Sequence, residues 1–366
     1  MEESCMVEGE ALKNLSLVNS TRLMLPGADK QRVWNFDSLS VASGSYLYFG
    51  GADLVNKQGT VINVSGDMSV AGTISLNQTG SCVKLGGDQA ESTMGGAHGG
   101  SMGWYAKWQK GYYSDYYGSL SAPLTLGKSG YDLHDSGGAL ELNVVGTLTL
   151  GGTISVKGAR GGGAGGSIWA KLGKVLGAGN FCADAGDKES YQLGSGGRIS
   201  IEVAEGENAI NATVGGRSGD SRIGYSGTVF RSQGPRIAAL SSDYAVSGLS
   251  NENMPINTDS DAAEAIKKSL RAYRVVSVNK PSSSNFAWTE RFVLNTPDGE
   301  IAYPNTVTYT ISDLAANTKY RVTHNGVARR VKTDAEGKLV FSAEFQNGLE
   351  PDSFVVDKTG LVIMFQ

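Results

Sequence analysis

Between residues 95 and 123 the sequence reads GGAHGGSMGWYAKWQKGYYSDYYGSLSAP, and no other stretch gathers so many side chains suited to chemistry. Trp104, Tyr105, Trp108, Tyr112, Tyr113, Tyr116 and Tyr117 fall within it, with His98, Lys107, Lys110 and Asp115 among them. Tyrosine and tryptophan present a flat apolar face with a polar edge, which suits stacking against sugar rings. The same rings could instead fold back and cover the flank of the body from which they project. Two catalytic schemes are open to this stretch. Removal of a proton next to a sugar carboxylate needs a base, for which His98 or a loop tyrosine is available, and a cation to neutralise the acid, Lys107 or Arg160. Hydrolysis of a glycosidic bond needs two carboxylates about 5 to 10 Å apart, and Asp115, Asp132 and Asp135 are the nearest candidates. Neither scheme has a diagnostic spacing. His98 lies between glycine pairs and could simply fill a corner, and His134, in YDLHDSGG, could contact substrate or close a turn.

Metal and nucleic-acid chemistry find less support. The three cysteines, Cys5, Cys82 and Cys182, neither make a disulfide framework nor join histidines at zinc spacing. Asp184 and Asp187 would bind calcium if a neighbouring segment supplied further oxygens, and are otherwise solvated turn residues. Net charge is −4 and charged residues make up 19% of the chain, so there is no basic field to hold nucleic acid or an anionic membrane. No apolar run approaches the ~20 residues of a membrane helix. The first residues, MEESCMVEGE, lack the order of a secretion signal, and we expect the chain to be a piece of a longer secreted or surface protein, with flanking domains.

The elements that must position these residues are written in glycine. The chain has 366 residues, 51 of them glycine, roughly twice the usual share of about 7%. One glycine cluster, GTISVKGARGGGAGGSIWAKLGKVLGAGNFCADAG from 152 to 186, can be parsed as a nucleotide cradle. In that parse Gly161, Gly163 and Gly166 form the phosphate loop, Ile168 to Leu176 a helix, and Asp184 the ribose-binding carboxylate. An internal repeat argues otherwise. TVINVSGDMSVAGTISL, at 60 to 76, overlays LELNVVGTLTLGGTISV, at 140 to 156, without a gap, pairing Asn63 with Asn143 and Gly-Thr-Ile-Ser with Gly-Thr-Ile-Ser. A further shift places Gly146 on Gly173, Gly152 on Gly179 and Ile154 on Phe181, and Ile199, Ile201 and Val203 continue the rhythm. Were SIWAKLGKVL a helix, its counterparts would be helical too, and their β-branched alternation and Asn/Gly turns oppose that. Each unit instead reads as short strands joined by turns, stacked into parallel sheets.

Residues 59 to 232 resemble the glycine-rich β-helical repeat family of large secreted and surface proteins of bacteria. The resemblance rests on GGAHGGSMGWY at 95 to 105, YGSLSAPLTLGKSG at 117 to 130, GGALELNVVGTLTLGGTISVKG at 137 to 158, GGGAGGSIWAKLGKVLGAG at 161 to 179, GSGGRISIEV at 194 to 203 and GYSGTVF at 224 to 230. It departs at NFCADAG, where the family pattern is more regular. It implies a fold rather than an activity, because the architecture serves lyases, glycosidases and adhesins alike. Beyond Ser241 the repeat stops. SDAAEAIKKSLRAY, at 260 to 273, reads as a short helix, and six or seven strands follow. LAANTKYRV, at 314 to 322, resembles the fibronectin type III signature, in which Tyr320 would anchor a corner.

The sequence therefore predicts an all-β protein, a right-handed parallel β-helix over 1–240 with an aromatic excursion at 95–135, a linker at 241–261 and an antiparallel β-sandwich over 262–366. Its expected work is glycan binding or adhesion through the excursion, a polysaccharide or cell-surface glycan being the partner. A polysaccharide-degrading enzyme using the same groove, and a purely structural scaffold, are the alternatives.

Overall fold

A computed structural model describes residues 13–25, 32–49, 59–80, 97–100, 102–104, 117–129, 136–187, 193–219, 222–244, 269–278, 285–296, 298–345 and 348–358. Every regular element among them is a strand. Two ladders of parallel strands dominate. In the first, Asn14–Leu17, Ser38–Val41 and Met68–Val70 lead to the long strand Ala139–Leu150, which Arg32–Phe36 and Thr60–Val64 approach alongside. The ladder continues through Ser167–Leu176, Arg198–Glu205, Thr228–Gln233 and Ser269–Ser277. In the second, Arg22–Leu25, Tyr46–Phe49, Thr73–Ser75, Thr153–Ser155, Asn180–Cys182 and Asn211–Thr213 follow one another.

The internal repeat of the sequence is the register of these ladders. Asn63 pairs with Asn143, Thr73 to Ser75 with Thr153 to Ser155, and Ile154 with Phe181. Alternation then decides what is buried, because successive residues of a strand point to opposite faces. Ile62, Leu142, Ala170 and Ile201 form one inward row and Leu140, Ile168, Ile199 and Val229 another, all buried against Leu47, Ile74, Ile154 and Phe181 of the second ladder. Each valine, leucine or isoleucine among them contributes roughly 1.5–3 kcal/mol when fully removed from water. The residues between them, such as Asn143, Lys171 and Glu202, face outward.

The second ladder ends at Asn211–Thr213 while the first runs on. From Thr228–Gln233 onward the apolar side of the first sheet changes. The formerly outward positions, Phe230, Leu270, Ala272 and Val276, now join Trp288, Phe292 and Phe354 in a second core. An antiparallel sheet of Leu240–Tyr244, Asn305–Ile311 and Leu339–Phe345 supplies Tyr244, Tyr309 and Phe341 to that core. Beyond Ser269–Ser277 the first sheet itself turns antiparallel, through Asn285–Thr296, Asp352–Lys358, Lys319–His324 and Val327–Lys332.

Two local expectations need correction here. Ser269 to Tyr273, the described end of the expected helix, lie in a strand; residues 260–268 fall outside the described residues. Leu270, Ala272 and Val276 alternate into the second core, and that burial overrides a helical propensity worth only tenths of a kcal/mol per residue. Residues 241 to 244, expected in a linker, belong to the strand Leu240–Tyr244, where Tyr244 is buried. Tyr320 is buried, and its hydroxyl accepts a hydrogen bond from the Ala315 N–H at 3.2 Å, tying a strand end to the chain before it.

Close stacking explains part of the glycine content. At Gly166 a Cβ would stand 1.8 Å from the Gly138 carbonyl oxygen, and at Gly197 one would stand 2.0 Å from that of Gly166. Those carbonyls accept the Ser167 and Arg198 N–H groups, so the backbone cannot retreat without breaking the ladder. Gly197→Ala is therefore expected to destabilise the protein by about 1–3 kcal/mol or more, as overpacking does, with a lower urea midpoint. An unchanged midpoint would show that neighbouring turns yield where the packing says they cannot.

Candidate ligand-binding cleft

The excursion leaves and rejoins the body at two defined places. Met102–Trp104 pairs antiparallel with Arg222–Gly224, setting Trp104 opposite Arg222. Tyr105, Lys107, Trp108, Lys110, Tyr112, Tyr113, Asp115 and Tyr116 lie outside the described residues, as do Asp132, His134 and Asp135. The returning limb, from Tyr117, lies against the first sheet. Arg198 Nε donates to the Tyr117 carbonyl at 2.8 Å, Ser200 Oγ to that of Ser121 at 2.6 Å and Ser167 Oγ to that of Thr125 at 2.6 Å. Ser121 Oγ donates in turn to the Ser242 carbonyl at 3.3 Å, so the limb spans from the parallel sheet to the antiparallel one.

His98 and Tyr117 are brought together, with ring centroids 4.9 Å apart. His98 is fully buried. Its Nδ1 donates to the Gly165 carbonyl at 2.7 Å and its Nε2 accepts from the Thr125 hydroxyl at 2.9 Å, an assignment that fixes the neutral tautomer. Burial, seconded by the Arg198 charge, lowers its pKa from 6.5 to about 3. A ring with both nitrogens engaged and no exposed edge holds the excursion to the sheet and is not presented to a substrate as a base. Tyr117 likewise donates its hydroxyl to the Leu126 carbonyl, and burial raises its pKa. Arg160 is exposed at the corner before the glycine run and is not among the residues lining the cleft described below.

The glycine run itself is closed to phosphate. Its N–H groups are spent on protein carbonyls: Gly161 on Asp187, Gly163 on Ala159, Gly165 on Ser195 and Gly166 on Val156. Ser167–Leu176, which a cradle would make a helix, is a strand. Asp184 accepts from the Gly215 N–H at 2.6 Å and Asp187 pairs with Lys157 and Arg217 at 2.8 and 3.2 Å. Among the described residues no three acidic, histidine or cysteine side chains gather to hold a metal.

The structure instead reveals a cleft at the step where the antiparallel layer begins to cover the first sheet. It encloses about 160 Å³, with Trp169, Glu202 and Arg274 on its floor, Arg236 and Leu240 on one wall and Ser121 and Ala122 of the returning limb on another. A second depression of about 250 Å³ continues it over Asn143, Lys171 and Val145, sharing Glu202, Ser232 and Arg236. The pair follows a row of outward side chains at successive strands, Asn63, Asn143, Lys171, Glu202, Ser232 and Arg274. Within it Trp169 Nε1 donates to Glu202 at 2.7 Å, Lys171 Nζ lies 3.8 Å from the Trp169 ring centroid and 2.5 Å from Glu141, and Arg236 reaches Glu202 at 3.3 Å. None of Glu141, Trp169, Lys171, Glu202 and Arg236 stands out in the sequence by spacing. Their signal is parity, since a tryptophan and charged residues occupy the outward positions of strands whose inward positions are aliphatic.

No family model matches the chain, no curated protein resembles it in sequence, and no solved structure matches it.

The buried histidine makes a pH test. Between about pH 6.5 and pH 3 the unfolded chain binds a proton at His98 that the folded one refuses. Stability from this group is whole above about pH 6.5 and falls as pH drops, by about 1.4 kcal/mol per unit where one proton separates the two states. Urea midpoints for His98→Gln should lose that share of the acid slope. A slope identical to that of the parent would mean that His98 is not the titrating group.

Proposed function

We propose that the two parallel ladders are walls of a right-handed parallel β-helix, related to the glycine-rich repeat proteins of bacterial surfaces, and that the molecule binds a glycan chain laid across its strands. The observation that carries this reading is the elongated groove over Asn143, Lys171, Glu202 and Ser232, which the anchored limb of the aromatic excursion bounds at one end. Strands about 4.8 Å apart offer a polar group at each step, and alternating amide, ammonium, carboxylate and hydroxyl suit sugar hydroxyls, which donate and accept at once. Trp169 adds an indole edge at the floor, and the excursion aromatics Trp104, Tyr105, Trp108, Tyr112, Tyr113 and Tyr116 are of the residue types that stack on sugar rings. Loops borne on a rigid scaffold are the usual seat of such contacts. A secreted or surface location follows from the same reading.

A degrading enzyme is the second reading, and one observation favours it. Glu141 and Glu202 both approach Trp169 from the strands on either side of its own, and glycoside hydrolysis needs two carboxylates.

Affinity electrophoresis against a panel of neutral and acidic polysaccharides, with reducing ends and unsaturated uronates followed in parallel, separates the readings. At least one polysaccharide should retard the protein without product, and Trp169→Ala should weaken retention about ten-fold, the equivalent of ~1.4 kcal/mol. Trp104→Ala combined with Trp108→Ala should do the same. Product in either channel would establish an enzyme. Retention unaltered in both variants would remove the groove and the excursion from the binding surface, and absence of retention and product together would leave a scaffold.

A further inference from the structure

A second cavity, of about 260 Å³, lies on the opposite face of Ser269–Ser277 from the cleft. Arg274 and Val276 face the cleft, while Ser269 and Arg271 face this cavity, with Asn295, Thr213, Gly215 and Asp184 around it. It forms where the second ladder stops at Asn211–Thr213 and the first continues, so the inward side of the first sheet loses its opposite wall. The side chains there change character. The row that holds Ile168, Ile199 and Val229 continues to Arg271, and the row that holds Ala170 and Ile201 continues to Arg231 and Tyr273.

These two arginines differ from the others nearby. Arg236 and Arg274 pair with Glu202 and Glu290, whereas among the described residues neither Arg231 nor Arg271 has a carboxylate partner. Arg231 is only 9% exposed, and its Nη1 donates to the carbonyl and side-chain oxygens of Asn208, both at 3.3 Å. A cation this deeply placed with no carboxylate beside it is costly. Arg271 spends Nε on Ser269 Oγ at 3.3 Å. Burial depresses the pKa of Arg231 to about 10, Tyr273 opposing that shift and the Arg271 charge adding to it least of the three. Two positive charges on one face, diagonal to each other across adjacent strands, are an arrangement that an anion relieves.

The opposite wall narrows the choice of anion. Asp184 is held by the Gly215 N–H and the Thr213 hydroxyl, at 2.6 and 3.3 Å, and presents an acceptor to the cavity, with Asn295 able both to donate and to accept and Thr213, its proton spent on Asp184, able to accept. An inorganic oxyanion would meet that carboxylate as a like charge. A ligand with a carboxylate at one end and hydroxyls at the other would satisfy both walls.

We propose that this cavity binds a sugar acid, its carboxylate taken by Arg271 with Arg231 supplying a second positive charge behind it, and its hydroxyls meeting Asp184, Thr213 and Asn295. The site is independent of the groove on the other face, and either can fail without the other.

Equilibrium dialysis of the full chain with radiolabelled galacturonate tests it, with galactose, acetate and sulfate as competitors. Galacturonate should bind, acetate should compete weakly, and galactose and sulfate should not compete. Arg271→Gln and, separately, Asn295→Ala should each weaken binding at least ten-fold, and Arg321→Gln, a surface arginine paired with Asp357, should not. The thermal midpoint of Arg271→Gln establishes that the variant is folded. No binding of galacturonate, or equal binding by Arg271→Gln, would overturn the proposal. Competition by sulfate equal to that by unlabelled galacturonate would overturn the sugar acid and leave a general anion site.

Discussion

The strand Thr228–Gln233 is buried on both faces, and the rest of the molecule is arranged around that demand. Val229 belongs to the core between the two parallel ladders, and Phe230, the next residue, belongs to the core beneath the antiparallel layer. A strand with only one dry side could end a sheet against solvent. This one passes the sheet from one core to another, so that outward positions become inward ones without any change in the ladder. Hydrogen bonds continue in register from Arg198–Glu205 to Ser269–Ser277 while the apolar stripe moves to the other side. The cleft on one face and the cavity on the other are geometric consequences of that transfer, since each marks where one wall ends.

The row of outward polar side chains that defines the groove does not stop at the edge of the second core. It continues through Arg274 to Glu290, which is fully buried. Burial alone would disfavour the charge on Arg274, and the adjacent Glu290 carboxylate more than restores it, with Nε and Nη2 donating to one carboxylate oxygen at 2.9 and 2.8 Å. Tyr309 donates to the same oxygen at 2.9 Å, Tyr244 donates to the other, and Ser242 accepts from Arg274 at 2.6 Å. A pair this well surrounded offsets the loss of hydration that would otherwise make it a liability, and removing either partner leaves an uncompensated buried charge. Because Ser242 also takes the excursion limb at Ser121, the network joins the second core to the wall of the cleft.

The parts of this molecule that repeat were legible in the sequence. Overlaying Asn63 on Asn143 and Ile154 on Phe181 gave the ladder register, because a stack of parallel strands constrains each position by the one above it. The transfer at Thr228–Gln233 was not legible, since Val229-Phe230 in isolation reads as an ordinary apolar pair and only the partner layers reveal two cores. The described end of the helix expected over 260–273, Ser269 to Tyr273, is a strand for the same reason, local propensity being outweighed by pairing with a strand distant in sequence. His98 is a rare side chain in a glycine setting, and that setting is what buries it. Trp169, Lys171 and Glu202 carry no signal along the chain, because their meaning lies in the strands they sit beside, which no spacing conveys. Asp115 and Lys107, like most of the excursion aromatics, lie outside the described residues.

The central claim is that one strand couples two cores, and native-state hydrogen exchange measures coupling directly. Amides of Ser167–Leu176, in the parallel ladder, and of Asn305–Ile311, in the antiparallel layer, should open with the same free energy as global unfolding. Phe230→Ala should then speed exchange in both by the same factor. Exchange that accelerates only in Asn305–Ile311, with Ser167–Leu176 unaffected, would contradict the account and leave two independently stable bodies that happen to share a sheet.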